Sequence, residues 1–564
     1  MGRKLLDFSS LIRTCLARGL DQLRRDAATM TAARLDSLTN ELFEDMVEYL
    51  DLADLRNLRM ASKVLSFKVT QNHFASYFLH KKIDLTQLGL QAFVQATSQG
   101  ARLGCRVRHL TLTGVEYSIS ELEEVFDTGE VITDTALGMR LPPKRRACGR
   151  EELSGLQASL DRLRRCQADD DDFHKQGMDV SLLSEALRNI STYGGHGIEI
   201  LRLEIIARID GIADRRPAGA VELQNRRFGL SSAARTFAVV ASSLQDNALA
   251  IQRFELFSGS PSSTWCSLPY DTFSLFDWEP SRSWPSLGAV KKLSMRLSDR
   301  FTNVTGLNST NFNGCFDMIG RDPELAATLI AAQLPIIERE REIDSRHCKT
   351  ITRMQQLCRH LEELEITWYR LSHLMPRSRY DRYMYDPNGE TAAVAQWNSR
   401  QSYMRHLSQA NPFPLLRNLQ LEGLSLLSDD LLAFVKNHAA SLREISLENV
   451  QAVDSLFTPL FEFLASRECN IEWIHLRDLQ EGYHSLMFLP EQESEFTHVS
   501  GVMRQPSVID RWGADAKLVI RCFPRTKRWR TPPLKVFRRA DRLKVIAFGS
   551  THAGLPCWND LPVG

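Results

Sequence analysis

One six-residue pattern, apolar-x-x-apolar-x-apolar, recurs nine times and constrains the fold more than any other feature of the 564 residues. It reads VRHLTL from Val107, IEILRL from Ile198, IQRFEL from Ile251, VKKLSM from Val290 and LEELEI from Leu361. It continues as LRNLQL from Leu416, LREISL from Leu442, IEWIHL from Ile471 and LKVIAF from Leu543. Alternation at the end of each copy is the period of a half-buried strand. The copies at 416, 442 and 471 begin 26 and 29 residues apart, room for one short strand and one helix per repeat. Between them, SDDLLAFVKNHAAS reads as a helix with Ser428 as its cap and Leu431, Leu432 and Val435 inward, and FTPLFEFLASRE reads as the next. A unit of this kind buries its apolar face only by stacking on its neighbours. Other intervals, among them 91, 53, 39, 71 and 72 residues, require insertions or lost copies.

A second pattern occupies the start. In NELFEDMVEYLDLADLRNLRMASK, Leu42, Met46 and Leu50 recur every four residues with Phe43 and Val47 beside them, a broad apolar face on one helix. Thr39 or Asn40 can cap it, and Glu41 suits its positive end. Asp54 can cap a second helix with Leu55, Leu58, Ser62 and Leu65 along one stripe, and Phe67, Phe74 and Phe78 mark a third. Three short helices cannot bury faces this wide among themselves, so either a docking partner or the first repeat must cover them. A DNA-binding helix-turn-helix fits badly, because Glu44, Asp45, Glu48, Asp51 and Asp54 would face phosphates.

The run from Leu35 to Leu79 resembles the F-box: Leu38, Glu41, Leu42, Met46, Tyr49, Leu50, Asp54, Leu55, Leu58, Arg59, Ser62, Lys63 and Phe74 stand at the family's positions, and Thr39 stands where the family has proline. The resemblance implies docking onto the Skp adaptor of a cullin-based SCF-type ubiquitin ligase, through Leu38, Thr39, Leu42, Phe43, Met46, Leu50, Leu55 and Leu58. The recurring pattern matches the leucine-rich-repeat form degenerately, with Asn449 near the place of the repeat's asparagine. Together the two resemble the divergent F-box/leucine-rich-repeat substrate receptors. The expected fold class is α/β, a three-helix F-box followed by an irregular leucine-rich-repeat-like solenoid. The expected divisions are an extension, helical or disordered, over 1–34, the F-box over 35–80, the repeats over 81–500 with insertions near 128–178 and 368–412, and a basic cap over 501–564.

Specificity is expected in the insertions. The segment from Trp368 to Tyr403 carries Trp368, Tyr369, Tyr380, Tyr383, Tyr385, Trp397 and Tyr403 among Arg377, Arg379 and Arg382, residue types that dominate interface hot spots. These aromatics, Trp368 to Trp397, are candidate substrate-binding residues; the alternative is a loop half buried on the scaffold. Asp515 to Val545 holds eleven Lys/Arg and two Asp, with Phe523, Trp529 and Phe537 interleaved. A solvated basic cap is the favoured reading there, with nucleic acid or an acidic protein as the lesser alternative. ADDDD, Ala168 to Asp172, reads as a solvated loop, and GGHG, Gly194 to Gly197, as a turn before the Ile198 strand.

Net charge of +1 exerts no global pull on nucleic acid or membrane. LAATLIAAQLPII, Leu325 to Ile337, is too short and too interrupted to span a bilayer, and the N-terminus is a poor secretory signal. Eleven scattered cysteines without C-x-x-C point to reduced thiols in the cytoplasm or nucleus, and RTKRWR and PPKRR could serve nuclear import. His347, Cys348, Cys358 and His360 are metal-binding types, but a helical pattern runs through them, and ten helical residues span about 15 Å. No metal, cofactor or catalytic residue is expected. The expectation is a non-catalytic receptor with the Skp adaptor, the cullin scaffold and a protein substrate as partners; a scaffold or nucleic-acid-associated regulator is the alternative.

Overall fold

The computed structural model describes residues 38–47, 50, 52–69, 78–98, 104–117, 119–134, 144–195, 197–208, 215–217, 226–245, 247–258, 266–279, 284–298, 342–369, 399–453, 455–482, 484–488 and 508–525. The chain divides into two compact units, Met1–His80 and Lys81–Gly564.

In the first unit, helices Asn40–Val47, Leu52–Ala61 and Lys63–Val69 follow the apolar spacing. The second helix begins two residues before Asp54, which lies in its first turn instead of capping it. Ser62 acts as a cap, its hydroxyl accepting from the Leu65 amide at 3.0 Å. Phe43, Val47, Leu55, Leu65 and Val69 are buried. Lys68 holds the ends together: its ammonium lies 5.9 Å from the Phe43 ring centroid and donates to the Leu38 carbonyl oxygen.

The second unit is organised by a twelve-stranded, mostly parallel sheet. Its main path runs β1 His80–Asp84, β2 His109–Tyr117, β3 Ile198–Arg208, β4 Ile251–Leu256, β5 Lys292–Ser298, β6 Glu363–Tyr369, β7 Asn418–Glu422, β8 Glu444–Glu448, β9 Trp473–Arg477 and β10 Val508–Trp512. Neighbours in space follow the order of the sequence throughout. Strands β2 to β9 pair in parallel, and β10 returns antiparallel against β9. The registers equal the intervals of the sequence pattern: His109 faces Ile200, Arg253 faces Lys292, Glu363 faces Asn418 and Glu444 faces Trp473. Eight of the nine copies thus form strands in one ladder, and the copy at Leu543 lies outside the described residues.

All three apolar positions of every described copy are buried, from Val107, Leu110 and Leu112 to Ile471, Ile474 and Leu476. Helices in the crossovers, including Arg226–Gln245, 342–356, Ser399–Gln409, Ser428–Asn437 and Thr458–Leu464, add their apolar stripes to this one core. Parallel strands need such crossovers, and the helices they supply cover the inward face.

A left-handed turn follows several strands at the same place. Phe257, Gly423, Asn449 and Asp478 all have φ between 50° and 73°, each one residue beyond its strand. The Asn449 amide then donates to Arg477 O at 2.8 Å, and the Gly423 amide to Glu448 O at 3.0 Å, carrying the ladder across the turn. Asn and Asp tolerate this conformation. At 423 glycine is required, because a Cβ would lie 2.2 Å from the Trp368 carbonyl oxygen. After the turn, Ser425–Leu426, Gln451–Ala452 and Gln480–Glu481 form a second, smaller parallel ladder.

Two local expectations are corrected. ADDDD is not a loop but lies inside the helix Arg150–Lys175, where Arg235 pairs with Asp171 at 2.9 Å and the Tyr117 hydroxyl donates to Asp170. The expected insertion near 128–178 holds the strands Glu130–Asp134 and Lys144–Ala147 and that helix. Ser428 is the first helical residue instead of a side-chain cap; its amide is satisfied at 2.8 Å by Ser455 Oγ, in the crossover that follows β8. The GGHG turn is as read, with Gly195 at φ 64° ending the helix Met178–Gly194.

Candidate functional site

Because side chains alternate along a strand, burying every apolar position of the pattern turns the intervening positions to the opposite face of the sheet. That face carries His109, Thr111, Arg202, Glu204, Arg253, Glu255, Lys292, Ser294 and Arg296 on β2 to β5. Over β6 to β10 it carries Glu363, Glu365, Thr367, Asn418, Gln420, Glu422, Glu444, Ser446, Glu448, Trp473, His475, Arg477, Val508, Asp510 and Trp512.

Charges on the face are arranged across neighbouring strands, as the register requires. Arg202 meets Glu255 at 2.6 Å, and Lys292 meets Glu363 at 2.9 Å and Glu365 at 3.8 Å. Ser294 donates to Glu365 at 2.9 Å, Thr367 to Glu422 at 3.1 Å and Asn418 to Glu444 at 2.5 Å. Glu448 lies 3.5 Å from His475 and 3.7 Å from Arg477. At the β9–β10 end the indoles of Trp473 and Trp512 stack with centroids 5.0 Å apart, and Trp473 Nε1 donates to Asp510 at 2.8 Å. Trp512 remains 61% exposed. The two halves differ in sign, cations concentrating on β3 to β5 and carboxylates on β6 to β10.

This face was legible in part, since the x positions of the pattern name its side chains from β2 to β9. Trp512 was missed because β10 carries no copy of the pattern and pairs in the opposite direction.

The expected substrate-binding aromatics are not gathered here. Trp368 is a correction: it lies on β6 at an inward position, buried between Tyr270 and Tyr403 at centroid distances of 5.7 and 5.8 Å. A large apolar ring on that face stabilises by leaving water and offers no outer surface. Tyr369 ends the same strand, and Tyr380, Tyr383, Tyr385 and Trp397 lie outside the described residues.

The expected adaptor-binding residues divide. Phe43 and Leu55 are buried, which corrects their assignment to an outer surface; their apolar side chains hold the helices together. Leu38, Met46, Leu50 and Leu58 are half-buried, Thr39 is exposed, and Leu42 lies on the first helix. Met60 on the second helix and Val64 and Phe67 on the third, not anticipated as docking residues, are exposed at 79, 48 and 69%. The three-residue spacing of Val64 and Phe67 on one helix was the available signal.

Other titratable groups are structural in setting. Burial pushes Glu116 and Glu481 each up to about 7; Glu481 accepts from the Phe457 amide at 2.8 Å, at the start of the Thr458–Leu464 helix. Cys348 and Cys358 are buried, and burial drives the first thiol well above its usual range and the second to about 12. A thiol held protonated is a poor metal ligand and nucleophile. His360 bonds the Gly288 carbonyl at 2.7 Å. Among the described residues no group of three or more His, Cys, Asp or Glu could hold a metal ion, and no described helix is long and apolar enough to cross a membrane.

Comparison of the chain with protein-family models gives no match, and comparison with curated proteins gives none either.

Proposed function

We propose that the chain is a non-catalytic substrate receptor of an SCF-type ubiquitin ligase. The helical unit docks on the Skp adaptor and thereby on the cullin scaffold, and a leucine-rich-repeat-like solenoid holds a protein substrate. One observation carries this reading: a short three-helix unit in F-box spacing, with Met60, Val64 and Phe67 exposed on it, shares the chain with a parallel sheet whose outward face is polar. Exposed apolar patches mark partner surfaces, and repeat sheets offer extended ones. Rate enhancement would come from holding the substrate near the charged ubiquitin-conjugating enzyme.

Co-expression with a Skp adaptor tests it. The wild type is expected to co-elute one to one, and Met60→Asp with Phe67→Asp to lose the complex while the large unit's unfolding transition is unchanged. Adaptor binding untouched by both this pair and Leu42→Asp with Leu50→Asp would refute the docking model.

A further inference from the structure

On β6 to β10, Glu363, Glu365, Glu422, Glu444, Glu448 and Asp510 share the outward face with Arg477 and His475. Lys292 answers Glu363 and Glu365, and Arg477 answers Glu448. Among the described residues, Glu422, Glu444 and Asp510 pair with no Lys or Arg: their partners are Thr367, Asn418, Trp473 and His475. The indole stack stands in the same row as Glu444 and beside Asp510, with Trp512 mostly exposed, and Glu422 lies in the row of Glu448 and Arg477 at the other end of the strands.

We propose that this half of the face docks an extended, arginine-rich segment of a partner protein. A guanidinium is planar, so it stacks on an indole and presents a fork of donors to a carboxylate at once; an ammonium binds either group only as a point charge, without the plane or the fork. The carboxylates repel phosphates, which excludes a nucleic-acid backbone from the same surface. Five strands about 4.8 Å apart span about 19 Å, the length of roughly six extended residues. That the segment belongs to a ubiquitylation substrate rests on the receptor reading above; the affinity for arginine does not.

The experiment is fluorescence anisotropy of a fluorescein-labelled hexa-arginine peptide with the full-length chain, alongside hexa-lysine. Hexa-arginine is expected to bind more tightly. Trp512→Ala, and separately the isosteric pair Glu422→Gln with Glu444→Gln, are each expected to weaken it at least tenfold. Asp169→Asn with Asp172→Asn, exposed on the Arg150–Lys175 helix, is expected to leave it unchanged. No binding, or equal losses in all three variants, would overturn the proposal in favour of unspecific charge attraction. A tenfold gain from Arg528→Gln with Arg530→Gln would overturn it in favour of the chain's own basic segment as occupant. Adaptor co-elution, read on the same samples, separates the two ideas: peptide binding without adaptor sinks the receptor reading alone, and adaptor without peptide sinks this one alone.

Discussion

Glu481 and His438 set opposite pH limits on the repeat core. Burial raises Glu481 from 4.5 to about 7, so folding is most favoured with the carboxyl protonated. That contribution is complete below pH 4.5 and is lost as pH rises through 7, a change of about 3 kcal/mol over the window. Glu481→Gln keeps an acceptor for the Phe457 amide and removes the titration. Its stability by urea unfolding is expected to lose that component of the slope between pH 5 and 7; a slope equal to wild type would disprove the assignment. For His438 the sign reverses. Nδ1 donates to Phe434 O at 2.7 Å and Nε2 accepts from the Phe413 amide at 2.9 Å, so protonation removes an acceptor, and burial lowers the pKa below 6.5. Its contribution is present above pH 6.5 and lost on acidification. Trp368 also belongs at this scale. Trp368→Ala is expected to cost about 3–5 kcal/mol in denaturant unfolding, whereas a surface recognition residue would cost under about 0.5 kcal/mol.

Among the elements, the turn after each strand shows how one geometry accepts different residues. Gly423→Ala puts a methyl against the Trp368 carbonyl as well as straining a left-handed residue, and a loss above about 2 kcal/mol is expected. Asn449→Gly, at the equivalent φ of 51°, is expected to change stability by less than about 0.5 kcal/mol. Equal effects of the two substitutions by thermal unfolding would refute the equivalence. The helices illustrate the limits of local reading. Ser428 has the residue type of a cap, yet the helix starts there, and Ser455 of the following crossover satisfies its amide. ADDDD looks like a loop by charge, yet the Leu160, Leu163 and Phe173 stripe carries the helix through it.

For the whole molecule, two compact units imply two cooperative transitions. Leu55→Ala empties a buried position of the helical unit; it is expected to lower that unit's transition by about 2–5 kcal/mol and leave the sheet unit's unchanged, as followed by calorimetry. A single shifted transition would show the units to be energetically one.

The eight patterned strands and the spacing of their registers were legible in the sequence, because alternation is a local property; β1 and β10, which carry no copy of the pattern, and the joining of all ten strands in one ladder were not. The paired intervals of 53 residues from Ile200 to Arg253 and 26 from Asn418 to Glu444 equal the spacings between copies of the pattern. The helical spacing of residues 40–69 was equally legible. What only the tertiary structure decided is which side chains remain outside. Phe43, Leu55 and Trp368 turn inward, while Met60 and Phe67 stay in water. Trp512 reaches Trp473 only because the last strand runs back antiparallel. Periodicity tells which face of an element is apolar; how many apolar side chains the core has room for, and what stands beside the rest, depends on segments far apart in the chain.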